Sequence, residues 1–188
     1  MAPQIEFEPT RLEEVILVKP VVWKDSRGFF LETYHQDKYQ ANGIPLQFVQ
    51  DNHSFSVRGT LRGLHAQLRH PQGKLVRAIL GTIFDVAVDA RPGSPTFGQW
   101  VHAELSSENH HQLYVPPGYV HGFVVTSDTA HVQYKCTDFY YPEDEISVLW
   151  NDPEIGIDWP IGDPILKEKD RTAPRLAEIV PKLRDAAR

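Results

Sequence analysis

The sequence predicts a mainly β protein, an antiparallel β-sandwich or jelly roll with a few short helices and one C-terminal helix. Short apolar runs recur roughly every ten residues, and turns rich in proline and glycine separate them. The 188 residues are enough to build one sizeable core, and no linker or repeat divides them. We therefore expect residues 1–188 to form a single domain.

The strand candidates share β-branched runs or alternating apolar residues, with turn residues at their ends. In chain order they are VILVK (15–19), FFLETY (29–34), LQFVQDNHSFS (46–56), TIFDVAVDA (82–90), WVHAELS (100–106), QLYVP (112–116), YVHGFVVT (119–126), HVQYKCTDFY (131–140) and EISVLW (145–150). In TIFDVAVDA one face is apolar, whereas the other carries Asp85 and Asp89. Helices are predicted at residues 36–42 and from Pro174 to Arg188, where Pro181 would interrupt the second.

The segment RGTLRGLHAQLRHPQGKLVRAILG, from Arg58 to Gly81, predicts a hairpin with its turn at Pro71-Gln72-Gly73. It lies in a region, residues 52–84, that contains no Asp or Glu. The basic residues of this region are Arg58, Arg62, Arg69, Lys74 and Arg77. A surface hairpin with solvated basic residues is one interpretation. Solvated surfaces usually mix both signs of charge, so we favour a site for a small anionic ligand.

His65 and Lys74 are the residues of this segment that could carry chemistry, because the hairpin would place them across from each other. A histidine has an unperturbed pKa of about 6.5 and suits proton abstraction near neutral pH. A nearby ammonium group can stabilise the oxygen anion that forms next to the carbon, by roughly 3 kcal/mol. Tyr134 is a candidate acid for the opposite side, although a half-buried strand tyrosine is the simpler interpretation.

Arg62 and His65 have opposite parity in a regular strand and would face opposite sides of the sheet. Both can serve one site only if the strand contains a bulge. Gly63 lies between them, and glycine is common at bulges. The sequence therefore predicts a β-bulge at Gly63.

A metal site is the main alternative for these histidines, since jelly-roll proteins of the cupin type often bind a metal through two histidines, a Glu and a later His. This chain offers His65 and His121, but Gln67 stands where the second imidazole would be. Stable sites need three or four ligands, so we expect no metal and no cofactor. Two other hypotheses stay open: a metal-dependent cupin such as a dioxygenase, and a jelly roll that binds a ligand without catalysis or has a structural role.

The overall charge and cysteine usage exclude several functions. A net charge of -6 and a pI near 5.8 argue against bulk nucleic-acid binding. Cys136 is the only cysteine and has no internal disulfide partner, which favours a reducing compartment. No leader-like segment and no run of about 20 apolar residues is present. We expect a cytoplasmic protein with no membrane and no nucleic-acid partner.

A series of motifs resembles one family across nearly the whole chain. The motifs are RGFFLE (27–32), FVQDNHS (48–54), LRGLH (61–65), QGKLVRA (72–78), FDVAVD (84–89), SPTFGQW (94–100), PPGYVHGF (116–123), YKCTDFY (134–140), WNDPEIGIDWP (150–160) and KEKD (167–170). Their order and spacing resemble the dTDP-4-dehydrorhamnose 3,5-epimerases. The resemblance implies a cupin-like jelly roll, a homodimer and a reaction without cofactor or metal. The implied reaction epimerises dTDP-4-dehydro-6-deoxy-D-glucose at carbons 3 and 5 to dTDP-4-dehydro-L-rhamnose.

The same resemblance implies a role for each site residue. His65 would be the base at carbons 3 and 5, Tyr134 the acid on the other face, and Lys74 the group that stabilises the enolate. Asp170 would pair with His65, although by itself it is a solvated acid in a charged run. The implied substrate-binding residues are Arg27, Glu32, Gln50, Asp51, Asn52, Arg62, His121, Glu145 and Lys169.

The resemblance also implies how some of these residues are oriented, and the chain departs from the family pattern at a few points. Arg27 and Glu32 would reach the partner subunit's site, and Asp85 would orient His121. Ala66 stands where relatives usually carry an aromatic residue, and Tyr140 where tryptophan is frequent. The turn between His65 and Lys74 is one residue shorter than is common. These departures concern nucleotide affinity more than the chemistry. Relatives that epimerise a single carbon share most of the motifs.

Overall fold

The computed structural model describes residues 4–44 and 47–186, whose strands form two large antiparallel sheets and one hairpin. The six-stranded sheet has the order β1 (Glu6–Pro9), β2 (Ile16–Lys19), β10 (Gln112–Val115), β7 (Lys74–Leu80), β12 (Thr129–Cys136) and β5 (Gln50–Val57). The five-stranded sheet has the order β13 (Glu145–Ser147), β6 (Leu61–Gln67), β11 (Tyr119–Val125), β8 (Thr82–Asp89) and β9 (Trp100–Ser106). The hairpin pairs β3 (Val22–Asp25) with β4 (Gly28–Leu31), and the helices are α1 (Gln36–Gln40), α2 (Glu168–Arg171) and α3 (Leu176–Ala186).

The two sheets pack face to face around a shared apolar core. Val76 and Val132 from the six-stranded sheet lie in one buried cluster with Ile83, Ala87 and Phe123 from the five-stranded sheet. These residues occupy alternate positions of their strands, as expected when one face of each sheet is turned inward. The prediction of an antiparallel sandwich is confirmed, whereas the prediction of a single domain stays a prediction.

The predicted hairpin between Arg58 and Gly81 is wrong, because β6 and β7 belong to different sheets. β6 pairs with β11 and β13, and β7 pairs with β10 and β12. Apolar alternation cannot distinguish a hairpin partner from a strand in the facing sheet. The connection is held as a corner by Asp144, whose carboxylate accepts hydrogen bonds from the backbone N–H groups of Arg69 and His70. His65 and Lys74 therefore lie on opposite walls of the sandwich.

The acidic face predicted for β8 is not exposed to solvent. Asp85 and Asp89 are both fully buried, because core residues cover one face of β8 while the C-terminal segment covers the other. Val86 and Val88 pack in a cluster with Leu176 of α3. This burial makes the two carboxylates internal groups that need partners.

Several predicted bounds also differ from the structure. The strands β1 and β3 were not predicted. The strands predicted at 29–34, 131–140 and 145–150 end at Leu31, Cys136 and Ser147. Of the segment predicted at 46–56, Leu46 lies outside the described residues and the strand begins at Gln50. Pro181 does not interrupt α3, because core packing of Leu176 and Ile179 outweighs a cost of about 3 kcal/mol for an internal proline. The predicted helix end at 187–188 lies outside the described residues.

The bulge predicted at Gly63 is confirmed by the pairing register of β6 with β11. His65 pairs with His121 and Arg62 pairs with Phe123, so two residues of β6 lie opposite the single residue Gly122. Gly63 has a φ of 136°, and a Cβ atom there would lie 2.5 Å from the Cα atom of Gly122. Only glycine fits this close approach, which turns Arg62 and His65 toward the same side.

Replacing Gly63 with alanine is expected to destabilise the fold by about 2 kcal/mol or more, since the added methyl group overpacks the backbone of β11 in an unfavourable φ region. Chemical denaturation followed by tryptophan fluorescence measures this free energy of unfolding. Gly162→Ala is the matched control, because its Cβ would meet nothing within 4 Å. Equal stability of the two variants would contradict the close approach.

Candidate active site

A cavity of about 490 Å³ lies between the two sheets, and its lining contains most of the predicted site residues. One wall comes from β6 and β11, the other from β5, β7 and β12, and the segment 165–170 covers part of the opening. The predicted residues in the lining are His65, Tyr134, Lys74, Asp170, Gln50, Asn52, Arg62, His121, Glu145 and Lys169. The fold thus brings together residues from distant parts of the chain.

His65 on β6 is held by Asp170 on α2. The Nε2 atom of His65 lies 2.7 Å from Oδ1 of Asp170, whose side chain is 2% exposed. An ionised carboxylate accepts a proton-bearing nitrogen, so the pair favours the tautomer with hydrogen on Nε2. Nδ1 of His65 then carries the lone pair and has no hydrogen-bond partner among the described residues. This arrangement suits a general base.

A second pair of the same kind lies beside the first. Nε2 of His121 on β11 is 2.8 Å from Oδ1 of Asp85 on β8, and both side chains are buried. The predicted orientation of His121 by Asp85 matches this contact. The Oδ2 atom of Asp85 is buried without a hydrogen-bond partner in the part of the chain that the structure describes. His121 pairs directly with His65 in the strand register, so the two imidazoles are neighbours on one wall.

Lys74 on β7 and Tyr134 on β12 belong to the opposite wall. Burial lowers the pKa of Lys74, an effect that the nearby Cys136, Glu145 and Asp85 partly oppose. Burial also raises the pKa of Tyr134. Near neutral pH the phenol of Tyr134 is therefore protonated, as a proton donor must be. The ammonium group of Lys74 loses its proton at a lower pH than an ordinary lysine does.

One part of the cavity is bounded by an ion pair and an aromatic ring. Lys169 donates a hydrogen bond to Glu145 on β13, and Tyr140 lies beside the same carboxylate. Burial alone would raise the pKa of Glu145, but the hydrogen bond from Lys169 and the charges of His65 and Lys169 outweigh it and lower the pKa. The carboxylate is therefore an ionised acceptor at the rim.

The amides on the edge strand β5 hold one another in place. The side chain of Gln50 donates to Oδ1 of Asn52 at 3.1 Å and accepts from the backbone N–H of Tyr140 at 3.0 Å. The amide of Asn52 donates to the sulfur of Cys136 at 3.5 Å. Arg62 donates to Oγ of Ser56 at 3.0 Å, which directs its guanidinium toward β5. These contacts fix polar groups of the cavity in orientations that suit an anionic ligand.

Three predicted substrate-binding residues do not line the cavity of their own chain. Arg27 is exposed at the β3–β4 turn and pairs with Asp25, and Glu32 accepts a hydrogen bond from Lys38. Asp51 alternates with Gln50 and Asn52, so it faces the outside and pairs with Lys135. Their roles in binding stay predictions.

The cavity also contains residues that the sequence did not single out. They are Ser54, Thr60, Leu61, Ala66, Gln67, Gln72, Phe123, Tyr140, Ile165, Leu166 and Lys167. The sequence had noted Ala66 and Tyr140 only as departures, Gln67 only as the replacement of a metal ligand, and Gln72 only as a turn residue. Ser54 follows Gln50 and Asn52 at strand spacing, so parity along β5 could have identified it. The segment 165–167 has no periodic signal, and only the folded structure places it.

No group of three or more His, Cys, Asp or Glu side chains that could hold a metal ion occurs within residues 4–44 and 47–186. His65 and His121 each bond a different buried carboxylate through Nε2. Within those same ranges, no helix is long and apolar enough to cross a membrane.

The sandwich, with a histidine–carboxylate pair facing a lysine and a tyrosine, defines a type of site suited to moving protons on an anionic ligand. The family model described as dTDP-4-dehydrorhamnose 3,5-epimerase matches residues 9–178. The chain belongs to this family, and it is an isomerase. The resemblance inferred from the motifs is confirmed.

Relatives of known name support this assignment. The chain is 57% identical over 176 residues to the dTDP-4-dehydrorhamnose 3,5-epimerase of Pseudomonas aeruginosa, covering 92% of this chain and 97% of the relative. It is 40% identical over 176 residues to the dTDP-4-dehydrorhamnose 3-epimerase of Streptomyces niveus, covering 93% of this chain and 85% of that protein.

A solved structure shows the same architecture. The crystal structure of the dTDP-6-deoxy-D-glucose-3,5-epimerase from Legionella pneumophila, in complex with dTDP-4-keto-L-rhamnose, superposes with a TM-score of 0.92. The two sequences are 47% identical, and the match covers 95% of this chain and 96% of that one.

The shifted pKa values predict the basic limb of the pH–rate profile. The ammonium form of Lys74 is the one that stabilises an oxygen anion, and its pKa is lowered, so kcat/KM falls as pH rises through a value below the ordinary lysine pKa of about 10.4. The pKa of Tyr134 is raised, so its phenol stays protonated to higher pH and does not set this limb.

Lys74→Gln is expected to lower kcat by about 10²–10³ and to remove the limb, whereas Tyr134→Phe keeps the limb at a reduced rate. Initial rates measured from pH 6 to about 10.5 test both variants. A limb that persists unchanged in Lys74→Gln would assign it to another group.

Proposed function

We propose that this chain converts dTDP-4-dehydro-6-deoxy-D-glucose to dTDP-4-dehydro-L-rhamnose by epimerisation at carbons 3 and 5, in dTDP-rhamnose biosynthesis. The observation that carries the proposal is the placement of His65, hydrogen-bonded to buried Asp170, across one cavity from Lys74 and Tyr134. A ring bound between the walls has a base on one face and an acid on the other, which is what inversion at carbon requires.

The chemistry follows from the acidity of hydrogens next to a ketone. His65 removes a proton through Nδ1, and the electron pair of the broken C–H bond moves into an enolate with its charge on the carbonyl oxygen. The ammonium of Lys74 stabilises that oxygen. Tyr134 donates a proton to the carbon from the opposite face, and Asp170 stabilises the imidazolium while it exists. Solvent then restores both groups.

The remaining cavity residues bind the nucleotide diphosphate part of the substrate. Arg62 suits the diphosphate, because a guanidinium can hold phosphate oxygens with two hydrogen bonds. Gln50, Asn52, Glu145 and Lys169 offer donors and acceptors for the base and ribose, and Tyr140 offers an aromatic face. His121 contacts the sugar from the wall that also carries His65.

Both carbons are proposed because the similar Pseudomonas and Legionella proteins are named as 3,5-epimerases. The 3-epimerase of Streptomyces niveus is also a relative, at lower identity. The number of carbons inverted is therefore the point that an experiment must decide.

Incubation in deuterium oxide followed by proton NMR tests the proposal, with deuterium expected at carbons 3 and 5 of the sugar. His65→Asn is expected to slow product formation by about 10²–10⁴. His102→Asn removes an imidazole from β9 that stacks on Phe84, away from the cavity lining, and should keep the wild-type rate.

Two outcomes would contradict this proposal. Wild-type protein that incorporates no deuterium would not be an epimerase of this substrate, and label at one carbon alone would make it a single-carbon epimerase. A His65→Asn variant at the wild-type rate would refute the assigned base.

We also propose that the chain works as a homodimer. A row of exposed side chains crosses the outer face of the six-stranded sheet, where Phe55 and Leu80 both pair in register with His131. The β3–β4 hairpin exposes Phe29 and Phe30. Exposed apolar residues grouped in this way are typical of protein interfaces. A partner subunit would account for Arg27 and Glu32, which do not line the cavity of their own chain.

Mixing two inactive variants tests whether Arg27 acts in the partner's site. In a heterodimer of His65→Asn and Arg27→Ala, one site collects both defects and the other has neither, so random exchange should restore about a quarter of the wild-type rate. Sedimentation equilibrium measures the dimer, and Phe55→Asp should weaken it. A monomeric wild-type protein, or no recovery on mixing, would contradict the proposal.

A cytoplasmic location is part of the same proposal. It is supported by Cys136, which is buried and free, as is usual where thiols stay reduced.

A further inference from the structure

Segment 138–141 leads from β12 in the six-stranded sheet toward β13 in the five-stranded sheet, and it carries Tyr140 of the cavity lining. The segment belongs to neither sheet, so its backbone N–H and C=O groups need partners outside a β ladder. The side chains of three glutamines supply these partners. Gln50, Gln67 and Gln72 all line the same cavity.

Gln67 on β6 makes two hydrogen bonds to this segment and a third to the corner after β6. Its Nε2 atom donates to the carbonyl oxygens of Phe139 at 3.1 Å and His70 at 2.7 Å. Its Oε1 atom accepts from the backbone N–H of Tyr141 at 2.7 Å. Both donor hydrogens of the amide are therefore used. Gln67 is 6% exposed, so these contacts lie away from bulk water.

The two bonds to the segment fall on either side of Tyr140. One joins the residue before it and the other the residue after it, so the amide of Gln67 takes the place of a peptide group of a neighbouring strand. The backbone N–H of Tyr140 donates to Oε1 of Gln50 at 3.0 Å. Gln72 donates from Nε2 to the carbonyl oxygen of Asp138 at 2.8 Å. Three glutamine side chains thus hold the backbone that carries the ring of Tyr140.

We propose that Gln67 is a positioning residue for nucleotide binding, which holds Tyr140 where its ring meets the base of the substrate. This inference rests on the proposed function, in which Tyr140 offers an aromatic face to the nucleotide. Tyr140 is 48% exposed, so packing by itself does not order its ring. The bound backbone orders it instead, and a ring that is already ordered loses less conformational entropy when a ligand binds.

These contacts also give a use to the position of Gln67, which stands where a cupin metal site would have its second imidazole. Gln67 has the same parity as His65 on β6, and both side chains line the cavity. An imidazole has only two ring nitrogens and cannot make all three of the hydrogen bonds that the amide makes. The amide therefore suits a position that holds backbone.

Affinity for dTDP, measured by isothermal titration calorimetry, tests the role of Gln67. Gln67→Met keeps the length of the side chain and removes its hydrogen bonds. Its Kd for dTDP and its KM should rise by about tenfold, with kcat within about threefold of wild type, because the lost positioning weakens substrate and transition-state binding equally. An unchanged Kd, or a fall in kcat with KM unchanged, would overturn the proposal.

A double-mutant cycle with Tyr140 separates positioning from a direct contact of Gln67 with the ligand. If Gln67 acts through Tyr140, Gln67→Met should weaken dTDP binding by less than about twofold in a Tyr140→Ala protein. An equal loss of affinity in both backgrounds refutes the role, since Gln67 would then act on the ligand by another route.

Gln112→Met is the matched control for a lost buried amide. Gln112 on β10 is buried and donates from Nε2 to the carbonyl oxygen of Thr33 at 3.0 Å, outside the cavity lining. Chemical denaturation should show that this variant loses stability, whereas its Kd for dTDP should stay at the wild-type value. A Kd that rises as much as in Gln67→Met would make the effect one of general instability and contradict a specific role.

Gln72→Met replaces Gln67→Met if the latter does not fold, because it removes a single bond to the same segment. Its Kd for dTDP should rise by about threefold, and an unchanged Kd would count against the proposal. Wild-type protein that binds no dTDP would refute the proposed function together with this inference. Wild-type protein that epimerises the substrate, with an unchanged Kd in the glutamine variants, would refute this inference alone.

Discussion

The hydrogen bond between His65 and Asp170 is the interaction on which the rest of the site depends. The carboxylate of Asp170 is 2% exposed and needs a hydrogen-bond partner, because leaving a buried polar group unpaired costs about 1–3 kcal/mol. The imidazole of His65 supplies that partner, and the hydrogen bond fixes the tautomer and the position of the ring. Asp85 is buried in the same way, and its hydrogen bond holds His121 in place. The two buried carboxylates thus hold two imidazoles in place on the wall of β6 and β11.

The sandwich architecture provides the second wall. A hairpin would have placed His65 and Lys74 on one sheet, where both would approach a ligand from the same side. The corner between β6 and β7 instead sends the chain into the facing sheet, so His65 and Lys74 lie on opposite walls of the cavity. The bulge at Gly63 then adds Arg62 to the same cavity. The corner between β6 and β7 and the bulge at Gly63 therefore determine which of these side chains line the cavity.

The sequence was sufficient for the fold class and for much of the site. Alternation located most strands, and the parity conflict between Arg62 and His65 located the bulge at Gly63. Alternation could not decide which strands share a sheet, because buried faces look alike in either case. The family resemblance alone pointed to Asp170, since an acid within KEKD has no local sign of burial. The covering segment 165–167 depends on tertiary packing that has no periodic signal.

The charges support the proposal that a partner subunit adds a cation to the cavity of this chain. The chain carries a net charge of -6, which opposes an anionic ligand at long range. Within the cavity, Lys169 is compensated by Glu145, and the proposed reaction uses Lys74 at the ketone. Arg62 has no compensating carboxylate among the described residues, so it is the cavity cation that we propose for the diphosphate. Arg27, exposed on a hairpin beside Phe29 and Phe30, is the cation that a second subunit can supply.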